Sequence, residues 1–217
     1  TAVGGAAPGY LAAHPCGTAT DGSSVNHLPG EVNANLVVSA LDADGRLCID
    51  NLAPVDVIVD VVAFGAEGVT TLPTPERVLD TRTTGVTPQA DDIVRIDLSD
   101  DGVPDGANAA IYNLTATNTT GPGYMTSFPC DETRPLASNL NHGTADTTAN
   151  ATITKLSAAG EICIYHLVAA DLIVDLIGYT TGTDHYVALR PARALDTRRG
   201  WKPECDLMIV YEAPLNQ

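Results

Sequence analysis

The segment GPGYMTSFPC, residues 121–130, repeats the segment APGYLAAHPC, residues 7–16, at an offset of 114 residues. Four further matches follow in the same order: SSVNH (23–27) with SNLNH (138–142), LCI (47–49) with ICI (162–164), VIVDV (57–61) with LIVDL (172–176), and RVLDTR (77–82) with RALDTR (193–198). The offset drifts only to 116 residues over this length. The chain therefore contains two copies of one repeat of roughly 115 residues.

The repeats have the pattern of strands. Short segments rich in Val, Ile, Thr and Tyr are bounded by Gly, Pro, Asn or Asp, and no sustained helical period is present. In the first copy they are residues 36–41 and 55–64, and in the second residues 93–98, 109–114, 113–118, 124–128, 149–155, 162–167 and 172–179. This pattern predicts an all-β protein made of two tandem sandwich-like or barrel-like repeats.

The repeat boundaries predict three parts: a first repeat at 1–82, a second at 83–198 and a tail at 199–217. Thr1 corresponds to Thr115, so the first copy lacks counterparts of the strands predicted at 93–98 and 109–114. The tail contains LMIVY, residues 207–211, at the place that corresponds to the strand at 93–98. We therefore expect the chain to begin part-way through one unit and to end part-way into another.

The cysteines predict one disulfide in each repeat. Cys16 and Cys48 lie at positions that match Cys130 and Cys163, which favours the pairs Cys16–Cys48 and Cys130–Cys163. Closing each loop stabilises by about 3–4 kcal/mol on a chain-entropy estimate. Paired half-cystines indicate an oxidising compartment and hence export, whereas the closely spaced Cys and His of a zinc site are missing. Cys205 is left over, as a free or buried thiol or as one bonded to another chain.

The matched motifs resemble a repeat common in secreted and cell-surface proteins of actinobacteria, whose units carry GYLTAYPCG, SNLN, CIYN, VVDVxGYF and RLLDTR in that order. The first copy has the corresponding residues at 9–16, 26–27, 48–49, 58–64 and 77–82, and the second at 123–130, 138–141, 163–165, 173–179 and 193–198. The resemblance covers all but about the last 19 residues, although SVN (24–26) replaces NLN (139–141) in the first copy. It implies export and a surface or structural role, and it supplies no catalytic residues.

The composition excludes several classes of partner. The chain has 27 acidic and 11 basic residues and a formal net charge of −16, so its surface repels nucleic acid and anionic lipid. No apolar run reaches the roughly 18 residues of a membrane span. No signal peptide is visible before Thr1, so we expect either that a leader has been removed or that the sequence is a fragment.

Two motifs suggest chemistry, but neither has the residues that a functional site would need. Asp42-Ala43-Asp44-Gly45 resembles the start of a calcium loop, yet the second copy has SAAG (157–160), which favours a tight turn with Gly at the positive-φ position. His27 and His142 recur near Ser and Asp, but no nucleophile elbow is present, so we interpret them as hydrogen-bonded loop histidines. We therefore predict no enzyme, and no catalytic, cofactor or metal site.

The Arg-x-Leu-Asp-Thr-Arg motif is the most specific signal. Asp60 and Asp175 lie within apolar strands, where a carboxylate is costly unless it is paired. We predict a structural clamp in each copy, in which Arg77 or Arg82 meets Asp60, and Arg193 or Arg198 meets Asp175. Asp80 and Asp196 lie between the two arginines of their motifs and within reach of one of them. The alternative is an anion site built from the arginines.

These observations favour an extracellular structural or assembly protein. A sheet that lacks an edge strand invites another strand, and the tail residues Leu207, Ile209 and Tyr211 are candidates to supply it, with Cys205 placed to lock the joint. Donation to a neighbouring copy would build a filament, and donation within the chain would close a permuted domain. The alternative is an accessory module that binds cell-wall glycan for a larger secreted enzyme, although repeated aromatic residues are few.

Overall fold

The computed structural model describes residues 1–19, 22–59 and 68–182, and it confirms the all-β prediction. The elements in chain order are β1 (Ala2–Val3), β2 (Gly9–Pro15), β3 (Val25–His27), β4 (Val32–Asn33), β5 (Leu47–Asn51), β6 (Asp56–Val57), β7 (Val69–Asp80), α1 (Thr81–Thr84), β8 (Ile93–Asp97), β9 (Ala107–Thr117), β10 (Gly123–Pro129), β11 (Leu140–His142), β12 (Thr148–Lys155), β13 (Glu161–His166) and β14 (Asp171–Thr181). No helix among these residues is long and apolar enough to cross a membrane.

The strands form four antiparallel sheets, two in each unit. The second unit has the sheets β12-β9-β14-β7 and β11-β10-β13-β8, which enclose the main apolar core. Leu114, Leu172 and Val174 from one sheet and Met125 and Ile162 from the other are members of this core and are almost fully buried. The second unit is therefore a complete sandwich of two four-stranded sheets.

A hydroxyl network lies inside this core. The Tyr112 hydroxyl is hydrogen-bonded to Ser127 and, at 2.8 Å, to Thr154. Burial raises the pKa of Tyr112 to about 12, while the two hydrogen bonds oppose this shift. Each buried hydroxyl thus has a partner, as an apolar core requires.

The first unit has the sheets β4-β1-β6 and β3-β2-β5 and keeps the register of the second. Ala2 lies opposite Val57, just as Ala116 lies opposite Leu172. The pairing of β2 with β5 likewise repeats the pairing of β10 with β13, position for position. Among the described residues of this unit the core is small, with three buried apolar side chains grouped together: Ala2, Leu11 and Val25. The sequence repeat is thus also a structural repeat.

Two strand predictions in the first copy and one in the second need correction. Residues 36–41 form no strand, because their counterparts in β12 pair with β9 and the first unit has only β1 at that place. Of the strand predicted at 55–64, only Asp56–Val57 is formed within the described part. The strands predicted separately at 109–114 and 113–118 are one continuous strand, β9.

The strand β7 connects the two units. Its residues 69–80 lie in the first sequence repeat, but β7 hydrogen-bonds to β14 at the edge of a sheet of the second unit. The segment that follows, α1 and β8, completes the other sheet of the same unit. The second unit therefore begins structurally at β7, and its first strand comes from the segment that carries RVLDTR.

Both predicted disulfides are present. Cys16 is bonded to Cys48 and Cys130 to Cys163, with Cα atoms 4.9 Å apart in each case. Each bond joins β5 or β13 to the residue that follows the neighbouring strand β2 or β10. The disulfides therefore fasten the same strand pair in both units.

The glycine of the repeated Gly-Tyr pair leaves room for a buried histidine. A Cβ added at Gly123 would lie 2.8 Å from the His142 ring and from Val168. We expect Gly123→Ala to lower the free energy of unfolding by about 2 kcal/mol, since an extra methyl in a packed site forces its neighbours to move. Gly121→Ala is the matched control, because its Cβ would meet nothing closer than 4.0 Å. Equal urea midpoints for the two variants would contradict this packing argument.

Candidate functional site at the edge of the first unit

The RVLDTR segment is bound to the second unit by side chains as well as by strand pairing. Arg77 donates from Nε to Asp175 Oδ1 at 2.8 Å and from an Nη nitrogen to Oδ2 at 3.3 Å. Asp175 is buried on β14, and its hydrogen bond raises the pKa of Arg77. This fork-like pairing neutralises a carboxylate that lies within an apolar strand.

The next acid of the motif shapes the turn into α1. Asp80 is the N-cap of α1 and accepts from the backbone N–H of Arg82 at 3.1 Å. The Arg82 guanidinium donates to both carboxylate oxygens of Asp80, at 2.8 and 2.6 Å. These hydrogen bonds lower the pKa of Asp80 and raise the pKa of Arg82. The pair holds the chain in a sharp turn from β7 into the helix.

Thr81 fixes the segment to the start of β14. Its hydroxyl donates to Asp171 Oδ1 at 2.9 Å and accepts from the backbone N–H of Leu172 at 2.9 Å. Asp171 also accepts from Thr87 and from Asn118. Burial raises the pKa of Asp171, but the three hydrogen bonds outweigh this effect and the pKa is lowered. The carboxylate of Asp171 thus serves as an anchor for the incoming segment.

These contacts bear on the predicted clamp. Among the described residues, Asp175 is paired with Arg77, from the preceding sequence copy, and Arg82 is paired with Asp80. The predicted contacts of Asp175 with Arg193 or Arg198, and of Asp60 with Arg77 or Arg82, stay predictions, and the predicted clamp did not include Thr81 or Asp171. Thr81 recurs in the sequence as Thr197, and Asp171 recurs as Asp56. This recurrence is the feature of the sequence that could have identified both residues. The clamp residues Asp60, Arg193, Asp196 and Arg198 and the assembly residues Cys205, Leu207, Ile209 and Tyr211 lie outside the described residues.

The first unit presents the same edge without an occupant among the described residues. β5 and β6 are the outermost strands of their sheets, whereas their counterparts β13 and β14 are covered by β8 and β7. Leu47 and Ile49 of β5 are 39% and 37% exposed, although their counterparts Ile162 and Ile164 are fully buried. Apolar side chains that are buried in the second unit are therefore exposed to solvent at the equivalent edge of the first unit.

The relation between the two units is fixed by two asparagines. Asn35 donates to Asn113 Oδ1 at 3.1 Å and accepts from the backbone N–H of Ala151 at 2.8 Å. Asn113 donates in turn to the Ser23 carbonyl at 2.6 Å. These contacts, together with β7, place the first unit against β9 and β12 of the second.

The other sequence motifs have structural explanations. Asp42 accepts from the backbone N–H groups of Asp44 and Arg46, and Gly45 has φ +76°, which confirms the predicted turn. Arg46 also pairs with both carboxylates of this turn. His27 is not a hydrogen-bonded loop residue as predicted. It lies buried on β3, and neither ring nitrogen has a hydrogen-bond partner among the described residues.

The aromatic cluster of the second unit does not form an open stacking surface. Tyr124 and Tyr165 have ring centroids 6.0 Å apart, and the Arg134 guanidinium lies 3.7 Å over the Tyr165 ring. The Tyr165 hydroxyl donates to Asp91. The Arg134 guanidinium thus covers one face of the Tyr165 ring, and the side chain as a whole is buried.

Comparison with known proteins does not assign this chain to a family. No protein-family model matches it, and no curated protein is similar enough to count as a relative. The class is therefore defined by the fold alone: an all-β protein of duplicated, disulfide-bonded units, one of which has open sheet edges.

Proposed function

We propose that this protein is an extracellular structural subunit that joins copies of itself by β-strand complementation, as in a cell-surface fibre. The observation that carries the proposal is the contrast between the two units. Equivalent strands are buried in the second unit and exposed in the first. Within the described chain, the second unit supports this idea because its own edge is completed by a strand from the preceding repeat.

The exposed surface has the composition of a core and not of an ordinary protein surface. On and beside β6, Val57, Ile58 and Val59 are 42%, 53% and 57% exposed, whereas their counterparts on β14 are at most 6% exposed. A contiguous apolar patch at the edge of a sheet marks an interaction site, since unpaired backbone groups and apolar side chains can both be satisfied by an added strand. The occupant it fits is an amphipathic strand like β7 or β8.

The compartment supports the same role. Two disulfides in duplicated positions are typical of exported proteins, because thiols are kept reduced in the cytosol. A fibre subunit outside the cell also gains from cross-links that resist unfolding under load. A contact between unlike surfaces, head to tail, does not close on itself in general and so produces a filament.

The test is the native mass of the full chain. We expect light scattering after size exclusion to show oligomers in multiples of 22.5 kDa that grow with concentration, and negative-stain micrographs to show filaments. Reductant separates strand complementation from a disulfide joint through Cys205: assembly that survives reduction rests on the strands. A monomer under all conditions would falsify the proposal.

A substitution sharpens this test. We expect Leu47→Asp to abolish assembly, since it places a charge on the exposed edge strand β5, where an added strand would bury it. Leu136→Asp is the matched control, because Leu136 is 65% exposed but belongs to the second unit and not to an open edge. Both variants should keep the far-ultraviolet circular dichroism of the parent. Equal assembly of the two variants would contradict a role for the β5 edge.

A further inference from the structure

The contacts of Thr81 define a receptor and a ligand within the second unit. The receptor is the carboxylate of Asp171 together with the backbone N–H of Leu172, at the start of β14. The ligand is the RVLDTR segment, which enters from the preceding repeat. Thr81 is buried in this contact, so the recognition is enclosed and not a surface encounter.

The same receptor stands open in the first unit. Asp56 and Val57 correspond to Asp171 and Leu172, and they pair with β1 in the same register as their counterparts pair with β9. Asp56 is exposed, and its carboxylate has no hydrogen bond or ion pair with any residue that the structure describes, whereas Asp171 has three side-chain donors.

The backbone of this edge is also oriented for binding. The N–H of Ile58 donates to the Thr1 carbonyl at 2.9 Å, toward β1. Because successive N–H groups of an antiparallel strand point to opposite sides, the N–H of Val57 points away from β1, to the open edge. In the second unit the equivalent N–H, that of Leu172, points to the same side of the strand and donates to Thr81.

The chain contains a second copy of the ligand. RALDTR, residues 193–198, has Thr197 at the position of Thr81 and an arginine at each end, as RVLDTR has. Among the described residues, the RVLDTR motif that follows the first unit is paired with β14 of the second unit, the next one along the chain. By analogy with RVLDTR, RALDTR is a ligand for the edge of another unit, and the first unit has such an edge.

We propose that residues 193–198 of one copy bind the Asp56–Val57 edge of a second copy, with the Thr197 hydroxyl donating to the Asp56 carboxylate and accepting from the Val57 N–H. This inference rests on the proposed function and names the recognition element of the same joint. The two arginines of the segment bring positive charge to an edge of a chain whose net charge is −16, which offsets the repulsion between copies.

The test mixes two full-length variants with different defects. Asp56→Lys blocks the receptor, and Thr197→Val with Arg193→Glu blocks the ligand. We expect each variant alone to be a monomer of 22.5 kDa, and the mixture to form dimers that grow no further, because only one productive joint is left. Asp100→Ala is the control for loss of an exposed carboxylate, and it should assemble like the parent. Asp56→Ala should weaken assembly about tenfold, as loss of a charged hydrogen bond predicts.

Each other outcome points to a different failure. If Asp56→Lys assembles like the parent, the receptor is wrong while the structural function stands. If the parent never assembles, the proposed function is wrong, and the inference that rests on it is wrong as well. If both blocked variants and the parent are monomers and the variants melt at lower temperature, the segment binds within its own chain, and the second copy is the wrong occupant.

Discussion

Asp175→Ala is expected to lower the free energy of unfolding of the second unit by about 3 kcal/mol, because it removes the carboxylate that pairs most closely with the Arg77 guanidinium and leaves the more distant Asp80, at 3.6 Å. Asp175 is buried between Val174 and Leu176 on β14, and Arg77 donates to both of its oxygens. The Arg77 side chain is 33% exposed, so water screens part of the charge, and we take the lower end of the range for broken buried pairs.

A double substitution that removes both charges separates the loss of the ion pair from the burial of an unpaired charge. Arg77→Met with Asp175→Leu removes both charges and keeps apolar volume, and we expect it to recover most of the stability lost in Asp175→Ala. Arg95→Ala is the surface control: Arg95 pairs with Glu161 at 2.6 Å but is 59% exposed, so its loss should cost less than about 1 kcal/mol. Urea unfolding at neutral pH gives the free energies of unfolding of the parent and of the three variants. A cost for Asp175→Ala no larger than that of Arg95→Ala would contradict the clamp.

The repeat made much of the fold predictable. Two aligned copies identify which cysteines pair, because Cys16 and Cys130 precede Cys48 and Cys163 at matching distances. They also identify the strands of the second unit, since β-branched runs between turn residues recur at a fixed offset. The exceptions are β7 and β11, where no strand was predicted, and β9, which was predicted as two strands and is one.

The partner of each motif was not predictable from the copies. A repeat has no beginning in sequence, so a segment at its boundary can pair with the unit before it or with the unit after it. RVLDTR closes the first sequence repeat, yet it opens the second structural unit. Residues 36–41 have the composition of a strand but form none, because a strand also needs a neighbouring strand in the sheet, and the copies do not show whether that neighbour is present.

The two units also differ at one position that is buried in the second unit and exposed in the first, and this difference affects stability at acid pH. His166 is fully buried at the end of β13, and neither ring nitrogen has a hydrogen-bond partner among the described residues. Burial lowers its pKa to about 4, with Asp92 opposing and His142 adding to the shift. Its counterpart in the first unit is Asn51, which cannot be protonated.

The second unit should therefore lose about 3 kcal/mol of stability as the pH falls from 6.5 toward 4, a difference of about 2.5 pKa units between the unfolded and folded states. The sign follows because the unfolded chain binds the proton below pH 6.5 and the folded chain does not until about pH 4. His166→Asn, which installs the residue of the first unit, should flatten this part of the profile of unfolding free energy against pH.

The profile below pH 4 provides the internal reference for this prediction. Asp80 and Asp171 have lowered pKa values, so the stability they contribute is lost only as the pH falls below the ordinary carboxyl range, and His166→Asn should leave that limb unchanged. His14→Asn is the matched control. It removes a buried histidine of the first unit whose ring nitrogen, unlike those of His166, has a partner, the Asp50 carboxylate at 3.1 Å. If His166→Asn keeps the slope of the parent between pH 6.5 and 4, the buried neutral imidazole is not what makes the second unit sensitive to acid.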